Sequence, residues 1–581
     1  MCGIVGYIGH RQAYPLLHAG LQCLEYRGYD SAGIAVQDSG TVHIAKTIGR
    51  VHSMQGPALP GTIGIGHTRW ATHGIPSKEN AHPHSDCTRK IAVVHNGIIE
   101  NYRTLRDQLI ADGHKFSSDT DTEVIAHLFE SQYRHHQGKD RMLQSLLACL
   151  KALEGVWGIA VLHADHDELI VSRNGAPLLL GLGTNEQFVA SDASPIIPHT
   201  RNIIYLDDLE IARLTREHIE VFDRQGRKKD KNIHEIKWSV EQAQKGGHAH
   251  FMLKEIHDQP LVAKQSLRIP IEANLKAHRF FLVACGTAWH AALIGKYLIE
   301  QLAGIPVTVD VASEFRYQNP IIGTGDLFIA ISQSGETADT LAALRLAKQK
   351  GARTLGIINV LNSTIAREAD DVIYTRAGME VGVASTKAFL SQLIVLYQIA
   401  EKLSGKEIPG FDQLPELLDK FLQGDVVQAI AEKYSRAHGF LFIGRNIQYP
   451  IALEGALKLK EISYLHAEGY PAGELKHGPI ALVTQEVPTV AICVRDPLYP
   501  KMISNIQEVR ARNGAVLAIA TEGDQEILHH ANEVIFVPAT DPLLAPFFTT
   551  VAVQLLAYHI ANARECDIDK PRNLAKSVTV E

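Results

Sequence analysis

The 581-residue sequence has no apolar run approaching the roughly 18 residues of a membrane span. Its longest ones, such as FFLVAC (280–285) and LFIAI (327–331), are strand-sized. Neither sign of charge dominates: 57 Lys and Arg stand against 64 Asp and Glu, a formal net charge of -7. That balance excludes the basic footprint of a nucleic-acid binder. The seven cysteines are scattered without CxxC spacing, which argues against a disulfide framework and for a reducing compartment. No charged segment followed by an apolar one opens the chain, so no signal peptide is expected. The expectation is a cytoplasmic protein of several domains, with no membrane or nucleic-acid partner.

What is present begins with MCGIVGYIG. A small second residue allows Met1 to be trimmed, which leaves Cys2 with a free α-amino group beside its own thiol. Through about residue 220 the chain reads as short strands and glycine turns, with helical stretches at 99–112 and 120–135. FDRQGRKKDKNIHEI (222–236) is polar, has no apolar period and reads as a linker. The rhythm then changes to strand followed by helix, as in parallel α/β units.

An internal repeat runs through this second half. FLVACGT (281–287) resembles LFIGRN (441–446), pairing Gly286 with Gly444; ASEF (312–315) resembles AGEL (472–475); ADDVIYTRA (369–377) resembles ANEVIFVPA (531–539). Three landmarks in one order at nearly constant spacing imply duplication of a doubly wound domain, with ligands at the carboxyl ends of its strands. In the first copy LFIAI ends in SQSGET (332–337), ahead of a predicted helix ending at Gly351. Hydroxyls and a glycine between strand and helix N-terminus suit an anion, making Ser332, Gln333, Ser334 and Thr337 phosphate candidates. The corresponding place in the second copy, near VAICVRDPLYP (490–500), has no Ser/Thr cluster. The second copy instead carries Glu454, Lys458 and Glu461 at i, i+4 and i+7, one helical stripe. Glu461 maps to Ala303 in the first copy, so this acid lies outside the shared frame of the repeat. AGELKHGP (472–479) adds Lys476 and His477.

LEYRGYDSAG (24–33), HTRWATHG (67–74), HNGIIEN (95–101) and SDTDTEV (118–124) together resemble the N-terminal-nucleophile glutamine amidotransferases. In that chemistry a thiolate attacks the glutamine amide, with the α-amino group, pKa about 7.7–8.0, as its built-in base. The resemblance assigns the nucleophile to Cys2 and the oxyanion hole to Asn96 and Gly97. It gives the glutamine carboxylate to Arg69 and the ammonium to Asp121, with Thr72 and His73 in the same loop. Singly these residues have other readings: Asn-Gly is a common hairpin turn, Arg69 could pair on the surface, and Asp121 could cap the following helix. HPHSDC (82–87) lacks a second ligand pair at usable spacing and reads as a polar loop, so no metal and no cofactor are expected.

The second half resembles the sugar isomerase domains, and the whole chain resembles the isomerising glutamine–fructose-6-phosphate transaminases. The match runs through SQSGETADT, EVGVASTKAF (380–389), the Glu-Lys-Glu stripe and the final PRNLAKSVTVE. This implies an α/β and α+β multidomain protein: an αββα glutaminase domain (2–221), a linker (222–245), sugar isomerase domains at 246–410 and 411–565, and a tail (566–581). It implies that fructose 6-phosphate and glutamine give glucosamine 6-phosphate and glutamate, the first step of hexosamine synthesis. Ser332, Gln333, Ser334 and Thr337 would hold the phosphate, and Cys285, Gly286, Thr287, Val383, Ser385 and Glu454 would line the remaining pocket. His477 would open the ring from a neighbouring subunit of a homodimer, Lys576 would form a Schiff base at C2, and Glu461 would move the proton between C1 and C2 beside Lys458. Ammonia would pass through a dry channel gated by Trp70, near Ala575 and Val578. One departure is Ala288, where the family commonly has a Ser. A glutaminase feeding phosphoribosyl diphosphate or aspartate would need a pyrophosphate or ATP motif; no GxxxxGK[ST] is present. A sugar-phosphate-sensing regulator would need no Glu461, His477 and Lys576 together.

Overall fold

A computed structural model describes the chain except residues 1, 26, 55–57, 71–72, 236–244, 425 and 580–581. It falls into two compact units, residues 1–242 with 577–581, and residues 243–576. No described helix is long and apolar enough to cross a membrane.

The first unit stacks an eight-stranded and a seven-stranded sheet, each built from antiparallel pairs. Strand Ile91–Ile99 shows why its sequence is apolar throughout. Its Ala92 and Val94 point into the space between the sheets with Ile4, Ile65 and Val171. Ile91 and Val93, one residue out of phase, meet Val124, Phe129 and Leu146 of the covering helices. Helix Ala13–Cys23 covers the other sheet through Leu17 and Leu21. The result is four layers, αββα. Strand Gly3–Ile8 lies centrally in its sheet, between Gln187–Ala190 and Ile63–Arg69.

The stretch expected as a linker corrects the sequence reading. Phe222 is buried at the end of strand Ile219–Phe222. Lys228–Lys229 pairs with Val221 and Phe222, and His234–Glu235 pairs with Asn202 and Ile203, so each forms the edge of one sheet. Edge strands need backbone partners on one side only and keep their charges outward, which hides them from any apolar pattern. Lys229 and Lys231 are held by Glu210, at 2.6 and 2.8 Å.

The second unit holds two five-stranded parallel sheets of identical order. In the first, Val307–Val311, Arg279–Ala284, Asp326–Ser332, Arg353–Ile358 and Asp371–Tyr374 lie side by side. In the second the order is His466–Pro471, Gly439–Gly444, Thr489–Cys493, Val516–Thr521 and Glu533–Val537. Chain order 2-1-3-4-5 in both is the duplication made visible. The strands also correct its register: Ala284, not Gly286, ends the strand equivalent to the one Gly444 ends. Glu461 then falls opposite Gln301 rather than Ala303, still not an acid. Helices Gly286–Ala303, Lys387–Ser404, Tyr449–Ser463 and Ala545–Ala563 share one core, through Leu298, Leu396, Leu459 and Val553.

Candidate active sites

Cys2 enters the central strand of its sheet, where Gly3 pairs with Thr68, so Cys2 lies beside the end of strand Ile63–Arg69. There the backbone N–H of Trp70 donates to the Cys2 sulfur at 3.3 Å. From the facing sheet, Asn96 Nδ2 donates to the Cys2 carbonyl at 2.9 Å. The buried His67 fixes the Asn96 amide, its Nε2 lying 3.0 Å from Asn96 Oδ1 and from the His95 carbonyl. Burial pushes the Cys2 thiol up, while the Trp70 N–H and the Arg69 guanidinium favour its thiolate. Asn96 and Gly97 sit inside a strand, not in a hairpin turn. Gly97 has φ +130°, and a Cβ there would lie 2.0 Å from the Val156 carbonyl oxygen, so no other residue fits.

Burial bears on the surface-pair reading of Arg69 and the cap reading of Asp121. Arg69 is buried, not a surface partner, and donates to the carbonyls of His73 and Gly74, the latter at 2.9 Å. Asp121 is buried too and accepts the backbone N–H of Ile99 at 2.8 Å, so it ties strand to helix rather than capping the helix. His73 rests edge-on against Tyr102, its ring Nδ1 buried with no hydrogen-bond partner among the described residues. Thr72 lies outside the described residues. Trp70 is half-buried.

In the second unit the first sheet's switch point separates strands Arg279–Ala284 and Asp326–Ser332, the crevice where doubly wound folds take ligands. Cys285, Gly286 and Thr287 follow one strand; Ser332 ends the other, and Gln333 and Ser334 follow it. Ser332 Oγ lies 3.0 Å from Thr337 Oγ1 and accepts the Gly335 N–H at 3.0 Å, so the loop curls around its own hydroxyls. Thr337 is the N-cap position of helix Ala338–Gln349. A Cβ on Gly335, at φ +64°, would meet Ser363 Oγ at 2.0 Å. Ala288 is buried in the first turn of helix Gly286–Ala303.

Helix Tyr449–Ser463 sends its polar stripe toward the same place. Lys458 Nζ donates to Thr287 Oγ1 at 3.0 Å and lies 3.5 Å from Glu454 and 2.6 Å from Glu461. Thr287 Oγ1 donates to Glu454 at 3.1 Å, and His290 Nδ1 lies 2.7 Å from the other Glu454 oxygen. Burial alone would lower the Lys458 pKa, but Glu454 and Glu461 outweigh it and hold the side chain as an ammonium. The stripe is therefore no solvated ladder: Glu454 and Lys458 are fully buried. His290 was missed by sequence reasoning; its one signal is a position three residues after Thr287 on a helix face.

The tail closes on this unit. Asp569 accepts the N–H groups of Phe251 and Met252 at 2.9 and 3.0 Å, and its carbonyl accepts that of Val383 at 3.2 Å. Lys576 donates to the Gly382 carbonyl at 2.8 Å and is ion-paired with Glu380, which also accepts the Ser385 hydroxyl at 2.9 Å. Glu380 thus joins two predicted groups, Ser385 and Lys576, and was itself not singled out. Nearby Glu255, buried and facing Glu380, is pushed up to about 7. His477 is exposed at the end of the turn Ala472–His477; Ala575 is half-buried and Val578 exposed.

A cysteine at the head of an αββα sandwich, in one chain with two doubly wound domains and a hydroxyl-lined switch point, defines a glutamine amidotransferase joined to paired sugar isomerase domains. The glutamine amidotransferase domain family matches residues 67–198, and the SIS domain family matches 275–402 and 433–564. The chain is 49% identical to a glutamine–fructose-6-phosphate aminotransferase (isomerizing) of Thermus thermophilus and 50% identical to one of Methanosarcina mazei, with both chains covered in full. Among solved structures, the C-terminal domain of a glucosamine-fructose-6-phosphate aminotransferase from Francisella tularensis is 40% identical with a TM-score of 0.54, covering 56% of this chain and 99% of that one. The chain belongs to the isomerizing glutamine–fructose-6-phosphate aminotransferases.

Proposed function

We propose that this protein converts D-fructose 6-phosphate and L-glutamine into D-glucosamine 6-phosphate and L-glutamate. The reading rests above all on the Cys2 sulfur beside the Trp70 N–H at 3.3 Å, with Asn96 on the Cys2 carbonyl at 2.9 Å. Once Met1 is removed, the α-amino group takes the thiol proton and the thiolate attacks the glutamine amide carbon. Asn96 Nδ2 and the Gly97 N–H receive the oxyanion, and the C–N bond breaks with the proton returned to ammonia. Water then hydrolyses the thioester to glutamate. Arg69 and Asp121 hold the carboxylate and ammonium of glutamine, with Thr72 and His73 beside them.

In the sugar half, Ser332, Gln333, Ser334 and Thr337 bind the phosphate, and Cys285, Gly286, Thr287, Val383, Ser385 and Glu454 enclose the chain. His477, acting from a second copy of the chain in a homodimer, opens the ring. Lys576 condenses with the C2 ketone, and ammonia displaces it to leave a C2 imine. Glu461 carries the C1 proton to C2, with the Lys458 ammonium stabilising the charge on oxygen. Free ammonia is protonated in bulk water, so a dry passage is proposed, with Trp70 as its gate and Ala575 and Val578 along it. The test is direct: purified protein given glutamine and fructose 6-phosphate without ATP should form glucosamine 6-phosphate and glutamate in equal amounts. Glutamate with no amino sugar would overturn the reading.

A further inference from the structure

HPHSDC offers no second ligand pair in sequence, but the fold supplies one. Cys87 lies in the loop after His84–Ser85, His114 in the loop after helix Tyr102–Ala111, and His127 and Glu130 one turn apart on helix Glu123–His135. We propose that Cys87, His114, His127 and Glu130 form a four-ligand site for a divalent ion of the zinc class, fastening that helix to both loops.

The donor atoms all lie within 4.8 Å of one another. The two Nδ1 atoms are 3.3 Å apart, and the sulfur lies 3.8 Å from His114 Nδ1 and 3.6 Å from His127 Nδ1. Glu130 Oε2 lies 3.0 and 3.7 Å from the same two nitrogens. Tetrahedral zinc with bonds of about 2.0–2.1 Å to nitrogen and about 2.3 Å to sulfur requires edges of about 3.3 Å between nitrogens and about 3.6 Å from nitrogen to sulfur. The cluster already has those dimensions. Thiolate and carboxylate together neutralise the two charges of the ion, as a buried site demands.

The surroundings are those of metal ligands. His127 turns its Nε2 toward the Glu123 carboxylate, 3.6 Å away, so that its Nδ1 side faces the cluster. Glu123 is itself held by the N–H and hydroxyl groups of Ser117 and Ser118 at 2.7–2.8 Å. The Lys115 N–H donates to the Cys87 sulfur at 3.4 Å and so fixes its position in the cluster. Glu130 gives its other oxygen to Arg134, while Oε2, which accepts the Cys87 N–H at 3.2 Å, faces the two histidines. His114, His127 and Glu130 are buried, while Cys87 is exposed and gives the ion an entry path. With four protein ligands the site is closed, so its role is structural and not catalytic.

The test uses the full chain, stripped with chelator under reducing conditions and dialysed against buffered zinc, with metal measured per chain. One tightly held zinc per chain is expected. Cobalt in its place should show the thiolate charge-transfer band and the intense visible bands of a four-coordinate ion. These should persist in Cys2→Ala and vanish in Cys87→Ser, a change at an exposed position whose folding is checked by circular dichroism. Glu123→Gln should keep one zinc but bind it about 10–100-fold more weakly. Zinc should raise the melting temperature of the wild type and not of Cys87→Ser. No zinc retained by the wild type, or a cobalt spectrum unchanged in Cys87→Ser, would show a hydrogen-bonded cluster only and overturn the proposal.

Discussion

The ammonium of Lys576 is paired with the buried carboxylate of Glu380, on a tail anchored by Asp569 to the start of helix Phe251–His257. The lysine proposed to form the imine is thereby fixed in position five residues from the end of the sequence. Borohydride reduction with fructose 6-phosphate should add one sugar-phosphate mass to the peptide containing Lys576. Lys576→Arg keeps the charge and cannot form the imine, so it should lose synthesis and retain glutaminase activity. An adduct on Lys458 or Lys476 would refute the assignment.

Cys2→Ala should lower glutamine hydrolysis by on the order of 10^4-fold or more, and remove glutamine-dependent synthesis with it. Isomerisation of the sugar phosphate should survive, because its residues lie in a separate compact unit. The comparison needs only a glutamate assay and a sugar-phosphate assay on one preparation. If isomerisation disappears as well from folded protein, the two sites are not separable.

Asn96→Ala removes the donor placed against Cys2. Its kcat for glutamine hydrolysis should fall about 10²–10³-fold, with little change in KM. A rise in KM at unchanged kcat would make Asn96 a substrate ligand and not part of the oxyanion hole.

Trp70→Ala should uncouple the two halves, giving glutamate in excess over glucosamine 6-phosphate. Equal yields of both products would remove Trp70 from the gate.

The His67 imidazole is held neutral by burial, its pKa lowered to about 3 against about 6.5 in the unfolded chain. The unfolded state therefore binds a proton that the folded state refuses, and stability falls as pH drops from about 6.5 toward 3. Full loss at the acid end is up to roughly 5 kcal/mol, and His82 and His84, also buried and lowered, act in the same direction. Urea unfolding followed by tryptophan fluorescence between pH 7 and 4.5 should show this decline. A flat profile would mean that His67 is protonated inside the fold.

Much of this was legible because local pattern and chemistry coincide. The helix over 338–349 begins where the hydroxyl loop ends, and the Glu454-Lys458-Glu461 stripe keeps its helical spacing. The edge strands at 228–229 and 234–235 were illegible because their side chains are charged, and pairing of the backbone leaves no mark on composition. Glu380 and His290 were illegible for another reason. Each acts through partners far along the chain, Lys576 and Glu454, and only folding brings them within reach. The quartet around Cys87 was passed over on the same ground.

Thr287 and His290 belong to the first copy of the repeated domain, while Glu454 and Lys458, which they bind, belong to the second. Neither copy holds the whole constellation, so on the function proposed above neither would do the sugar chemistry if cut free. A chain with a single copy could reach this arrangement only by pairing with another like itself. Fusion turns that meeting into a permanent address, and each copy carries what the other does not: the hydroxyl loop stands in the first and the Glu-Lys-Glu stripe in the second.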